Sequence, residues 1–164
     1  MAASIVLEQK SGIPYGAVIA AKTVFYFVSV DDCLADYEDY GVQIIEDTTN
    51  YSYEVWIVFR CDLAPTTKCD NFKLWTVASL PTGNNITVNS SAVTVYITPT
   101  DDLSVQGTRA DLIDYNAGNK LSIGGALSEI GDKSNFMVFQ LEVTDIAGVG
   151  DSGDFQMIYS YDES

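Results

Sequence analysis

An all-β fold, an antiparallel two-sheet sandwich of Ig-like or jelly-roll-like type, is what this chain predicts, and three observations predict it. Apolar and polar residues alternate with period two through several short runs, the signature of half-buried strands. Gly, Pro, Asn and Asp clusters punctuate those runs at roughly the 8 to 12 residue spacing of small sandwiches. No stretch of ten or more residues carries the 3.6-residue apolar spacing of an amphipathic helix. The 164 residues suit one domain over 1–164 with about 8 to 10 short strands.

The clearest pair is read in residues 135–161. Met137, Phe139, Leu141 and Val143 share one face against Gln140 and Glu142. Phe155, Met157, Tyr159 and Tyr161 repeat the alternation against Gln156 and Ser160. The glycines and aspartates of 145–153 supply turn chemistry between them, so the two runs read as one closing hairpin. From the start of the chain, 4–9 is a strand and 11–14 a turn. Residues 17–30 read as strand, bend, strand, the second part being 23–30, where Val24, Tyr26 and Val28 oppose Phe25 and Phe27 and so call for cover on both faces. Residues 31–40 are acidic and read as a surface loop or a helical turn, and 41–46 as a strand. Residues 51–60 alternate well, Tyr51, Tyr53, Val55, Ile57 and Phe59 facing inward against Ser52, Glu54 and Arg60. A strand at 71–77 follows, then a turn at 80–85, a strand at 86–88 and another at 92–98 with Val93, Val95 and Ile97 inward. Residues 103–134 are broken by Gly107, Gly118, Gly124, Gly125 and Gly131. They read as a long excursion with one or two short strands, one near 121–123, and with inter-subunit contacts.

Composition narrows the function. Apolar residues make up 47% and aromatics 12%, which excludes a mainly disordered chain. Eight Lys and Arg face 23 Asp and Glu, for a net charge of −15, so nucleic acid and anionic membrane surfaces are expected to repel it. No apolar run reaches the roughly 18 residues of a membrane-spanning helix. Residues 1–9 lack the basic and apolar regions of a secretory signal, from which cytoplasmic synthesis is expected.

Histidine is absent, which removes every Ser-His and Cys-His nucleophile arrangement and leaves carboxylates as the remaining acid–base groups. The acidic residues show no distinctive pair, and no enzyme activity or cofactor is expected. Asp145, Asp151 and Asp154, on a Gly-rich loop, are candidate Ca²⁺ ligands because that ion takes oxygen donors, although EF-hand spacing is missing; a solvated loop is the competing reading. Gly148 to Gly153 lacks the lysine and following helix of a phosphate-binding loop. Cys61 and Cys69 bracket a short loop and could pair as a disulfide or remain reduced core residues; Cys33 is left over. Sequons begin at Asn50, Asn85 and Asn89. Among ten tyrosines, most sit on strand faces where burial is the ordinary use, and Tyr37, Tyr40 and Tyr115 are the loop residues free to meet a sugar or another subunit.

Cys69-Asp-Asn-Phe-Lys-Leu-Trp75, Leu80-Pro-Thr-Gly83 and Tyr96-Ile-Thr-Pro99 together resemble the middle of a group of β-sandwich structural proteins of tailed phages. Phe139-Gln-Leu-Glu-Val143, Gly150-Asp151 and the run from Phe155 to Glu163 are similar to the end of the same group, so the resemblance spans about residues 51–163. It implies a non-enzymatic virion component, a capsid decoration protein or another external head or tail element, partnered by the major capsid or other virion protein and by copies of itself; it carries no site residues. Ile5, Leu7, Tyr37, Tyr40 and Tyr115 are the candidate interface residues, with residues 1–10 as a candidate inter-subunit strand or arm that adds to a neighbour's sheet edge. The alternatives are a glycan- or receptor-binding adhesion module and a subunit of a non-viral extracellular filament.

Overall fold

The computed structural model describes residues 2–12, 17–20, 23–32, 34–35, 37–77, 79–102, 108–148 and 155–164, with backbone alone at 17–20 and Tyr37. The strands are β1 (Ser4–Ser11), β2 (Ala17–Ala20), β3 (Thr49–Tyr51), β4 (Val55–Leu63), β5 (Cys69–Thr76), β6 (Asn84–Asn89), β7 (Arg109–Asp111), β8 (Leu121–Ile123), β9 (Met137–Thr144) and β10 (Met157–Glu163). A single helical turn, α1 (Tyr37–Tyr40), interrupts them. Seven form one sheet in the order β2-β1-β4-β9-β6-β7, with β3 also on β9; the other three form a second sheet, β10-β5-β8. Every pairing is antiparallel. The predicted two-sheet sandwich is the observed architecture.

Period-two alternation explains which side chains fill it. Val55, Ile57, Phe59 and Cys61 of β4 and Met137, Phe139, Leu141 and Val143 of β9 point from the large sheet toward Phe72 and Leu74 of β5 and Leu121 and Ile123 of β8. Phe59 stacks on Phe72 at 4.8 Å between ring centroids and meets Tyr159 at 5.1 Å, so one ring of β4 grips two strands of the opposite sheet. The opposite face of the large sheet is covered as well: Trp56, Val58 and Val138 are buried with Phe136 and Val93, and Tyr96 packs against them. Residues 90–102 supply that cover, which is why β4 reads Val-Trp-Ile-Val-Phe without a polar break.

Several expected elements differ. Residues 135–161 are not a hairpin: β9 lies in the large sheet, while β10 crosses to the small one and pairs with β5 from Met157↔Thr76 to Glu163↔Cys69. Alternation marks a strand but not its partner. The strand expected at 51–60 is broken, β3 and β4 lying end to end along the same edge of β9. Residues 23–30 and 41–46 join no ladder. Phe25 and Phe27 pack on the core and Val28 is buried, while Val24 is exposed. At 92–98 the ladder shrinks to an isolated bridge, Val93 to Phe136, and Val95 and Ile97 face solvent. The excursion holds β7, β8 at the expected 121–123, and a 3-10 turn over Leu112–Asp114 whose Leu112 is buried in the core. β1 pairs with β4 from Ser4 to Lys10 on one edge and with β2 from Glu8 to Ser11 on the other.

Candidate functional site

The break between β3 and β4 is where the loops attach. Ser52 stays on β9, its N–H donating to Leu141 O at 2.9 Å while its hydroxyl accepts from Leu141 N–H at 3.0 Å. The next two residues turn their N–H groups away: Tyr53 donates to Val28 O and Glu54 to Thr100 O. A cleft opens beside this break, walled by Gln9 of β1, Tyr53 and Glu54 of the break, and Tyr26, Asp31 and Asp32 of the preceding segment. Its free space is little more than the size of one water molecule.

Glu54 is buried, and its Oε2 accepts the Trp56 indole N–H at 3.0 Å. Its Oε1 is buried without a partner, and so is Gln9 Oε1. A buried acceptor left unpaired costs about 1–3 kcal/mol, and among the described residues Arg60 Nε and Arg109 Nε are likewise buried without a hydrogen bond. Asp31 accepts the Gly12 N–H through both carboxylate oxygens at 2.8 Å. Burial pushes its carboxyl above the usual range, the Gly12 bond works against that rise, and the neighbouring Asp32 charge adds to it.

Elsewhere on the outer face, polar side chains hold the covering segment. Gln140, fully buried, donates to the carbonyls of Ser52, Thr100 and Asp102 at 3.0, 3.3 and 2.8 Å. Asn89 donates to Ser91 O and Phe136 O and accepts from Val138 N–H. Arg109 donates to Val138 O and Thr87 Oγ1; burial lowers its pKa against the opposing pull of Glu54 and Glu142. Glu8, 2% exposed, is met by Lys133 and Arg60. Gln140 and Asn89 thereby tie the 90–102 strap to the sheet at Thr100, Asp102 and Ser91.

The candidate residues read from the sequence do not converge. Asp145 is exposed; Asp151 and Asp154 lie outside the described residues, and among the described residues no three metal-ligating side chains gather. Cys61 and Cys69 are both free and buried, with the Cys61 thiol donating to Leu63 O at 3.3 Å. Burial pushes both thiols up, helped by Asp132 and Asp62 at Cys61 and by Glu163 at Cys69. Cys33 lies outside the described residues. Ile5 is buried in the core, and Leu7 and Tyr115 are half-buried and pack on it. Tyr40 is exposed, and the side chain of Tyr37 is outside the description. Of the sequons, Asn89 is buried with its amide engaged, which closes it to modification. Gln9 and Glu54 escaped sequence reading because polar residues alternating with apolar ones read as solvent-facing, whereas both are buried. Gln140 escaped because it alternates with apolar residues as a solvent-facing residue does.

No family model, no curated protein and no solved structure matches the chain. The fold and site therefore define a class, an antiparallel β-sandwich whose large sheet is covered on both faces, with a small acidic cleft at its edge.

Proposed function

We propose that this protein is a non-enzymatic structural component of a virus particle, a capsid decoration or stabilising protein that binds the outer shell and neighbouring copies of itself. The observation that carries the reading is the stretch from Val24 to Ile45, which displays Val24, Tyr26, Leu34, Tyr40, Ile44 and Ile45 on the surface of an otherwise well-packed sandwich. Ser29 N–H donates to Tyr40 O within the stretch, and Tyr53 N–H to Val28 O and Asn50 Nδ2 to Gln43 O tie it to the sheet, from which it presents its apolar side chains. Docking proceeds through these side chains, and the Ser4–Leu7 edge of β1, which β2 does not reach, is the place where strand addition by residues 1–10 would join it. The charge of −15 keeps free copies soluble and disfavours nucleic acid, so affinity comes from apolar contact and register from charge complementarity.

The test is whether the chain travels with particles. Antibody-gold labelling and peptide mass spectrometry of gradient-purified virions should find it on the shell in symmetric copies. The double variant Leu34→Asp/Ile45→Asp should lose particle binding without a lower melting temperature. Absence of the chain from particles purified out of a lysate that contains it overturns the reading.

A further inference from the structure

We propose that the free edge of β10 receives an extended segment of a partner chain, one that alternates apolar with polar residues and carries a lysine or arginine at the level of Glu163. That the segment belongs to a shell protein rests on the docking reading above; the edge itself stands on the backbone geometry. In the small sheet β10 has β5 on one side and, among the described residues, no strand on the other. Ser164 and Lys68 exchange reciprocal N–H to O bonds, Cys69 and Leu127 exchange theirs on the far side of β5, and Thr76 N–H donates away from β10 to Tyr115 O. Alternation along the antiparallel ladder then aims the backbone groups of Ile158, Ser160 and Asp162 at β5 and those of Met157, Tyr159, Tyr161 and Glu163 at the open edge. The register shift falls on β5, where Lys73 to Asp70 spans one residue more than Ser160 to Asp162 and Asn71 sits at φ +53, so β10 itself alternates unbroken.

Sheet edges are ordinarily blunted by short strands, by lysine or proline, or by a bulge. The other strands that end the two sheets are short, four residues in β2 and three each in β7 and β8. β10 has seven residues with no lysine and no proline, which leaves a regular row of donors and acceptors for another strand. The side chains specify what that strand carries. Tyr159 and Tyr161 reach Phe59 and Phe72 across the layers and Met157 packs on the same core, so alternate residues of an added strand would point inward beside them. Tyr159 is 38% exposed and Leu7, opposite Phe59 in the neighbouring layer, is half-buried, so apolar residues at those positions gain cover. Ala3 N–H donates to Glu163 Oε1 at 2.9 Å, which sets the end of β10 against the start of β1. Asp162 and Glu163 are exposed there, and a cation on the incoming strand complements them. A second copy would bring the same two carboxylates and a charge of −15, which favours a different chain.

Amide spectra of the full isotope-labelled chain, titrated with a capped peptide Lys-Thr-Val-Thr-Val-Thr-Val, test this; antiparallel to β10, the peptide sets its lysine opposite Glu163. Saturable shifts and slowed amide exchange should appear at Met157, Tyr159, Tyr161 and Glu163. N-methylation of the three valines removes the donors that face β10 and should weaken binding at least about tenfold, whereas N-methylation of the threonines, whose N–H groups point away, should change it by less than about threefold. Glu163→Lys, at an exposed position, should weaken the peptide about two- to fivefold, and a peptide with Glu in place of its Lys should recover that loss. No saturation, equal binding of the valine-methylated peptide, or shifts confined to the Val24 to Ile45 stretch overturns the edge. Protection of the same amides that grows with the chain's own concentration and excludes the peptide assigns the edge to a second copy and overturns the partner. If the peptide binds as expected but residues 155–164 exchange deuterium as fast on particles as in solution, the shell assignment falls and the edge stands.

Discussion

Truncation of Phe59 is the sharpest probe of how the two sheets hold together. Its side chain has no solvent exposure, lies in the middle of β4, and touches Phe72 of β5 and Tyr159 of β10. Phe59→Ala leaves a cavity at the junction of three strands, and truncations of this kind cost about 3–5 kcal/mol. The total stability of a domain is about 5–15 kcal/mol, so the variant should be folded but weakened. At about 2–4 °C per kcal/mol for a chain of this size, the melting temperature should fall by about 6–20 °C. Urea unfolding with an unchanged slope gives the cost directly, and a cycle with Phe72→Ala should show a coupling of about 0.5–1.5 kcal/mol from the stacked pair. Leu34→Ala, at 75% exposure, serves as the surface control and should stay within about 0.5 kcal/mol. A Phe59→Ala cost below about 1.5 kcal/mol, or additivity with Phe72→Ala within about 0.3 kcal/mol, would refute the claim that this contact joins the layers.

Other consequences are read with similar measurements. Gln140→Leu strands the three carbonyls its amide serves and should cost about 1–3 kcal/mol in urea, with faster amide exchange at Glu54, whose N–H bonds to the same strap; a neutral result removes the strapping role. Gly83 sits at φ +82, and an added Cβ would run into the Ala147 backbone, whereas Gly131 at φ +94 faces open space. Gly83→Ala should therefore destabilise by at least about 1 kcal/mol more than Gly131→Ala, and equal losses would contradict the close approach. Cys61 and Cys69, held above their ordinary 9.0 by burial, should react with a disulfide reagent at pH 8 at least about tenfold more slowly when folded than in urea. The stability they contribute is present below pH 9 and declines as pH rises toward the folded values, which an alkaline melting series will show. Asp132 accepts from Ser128 and Glu129 N–H groups and is held below 3.8. Its contribution is present above that pH and is lost as pH falls through the folded value, so Asp132→Asn should flatten the acid side of the melting profile.

The strands that were legible are those whose alternation coincides with burial. β1, β5, β6 and β9 follow period two because one face meets the opposite layer and the chain has no other way to hide Phe72, Ile86 or Phe139. Residues 23–30 and 92–98 show the same alternation and β-branched content, yet neither finds a ladder. Phe25, Phe27, Val93 and Tyr96 lie over the sheet as cover while Val24, Val95 and Ile97 face solvent, and cover needs contact more than hydrogen-bonded partners. Sequence also leaves pairing open: β10 reads the same whether it folds back on β9 or crosses to β5, and only packing Tyr161 against Phe72 decides. The outer face was the larger miss. Its signal was present in the unbroken apolar run of β4, which demands cover on both sides, and that demand extends to the neighbouring Gln140 and Glu8. The cleft had no such signal, because Gln9 and Glu54 are ordinary residues far apart in the chain.

What makes the β3–β4 break unusual is that it departs from satisfied geometry at a place where straighter chain was available. A continuous strand from Thr49 to Leu63 would have used the Tyr53 and Glu54 N–H groups in the ladder; instead they bind Val28 O and Thr100 O, and Glu54 Oε1 remains without a partner. The 23–30 segment, whose Phe25 and Phe27 pack on the inner core, and the 90–102 segment over the outer face are thereby tied to one short backbone segment. Local departures from consistent packing and hydrogen bonding concentrate where a protein meets something else.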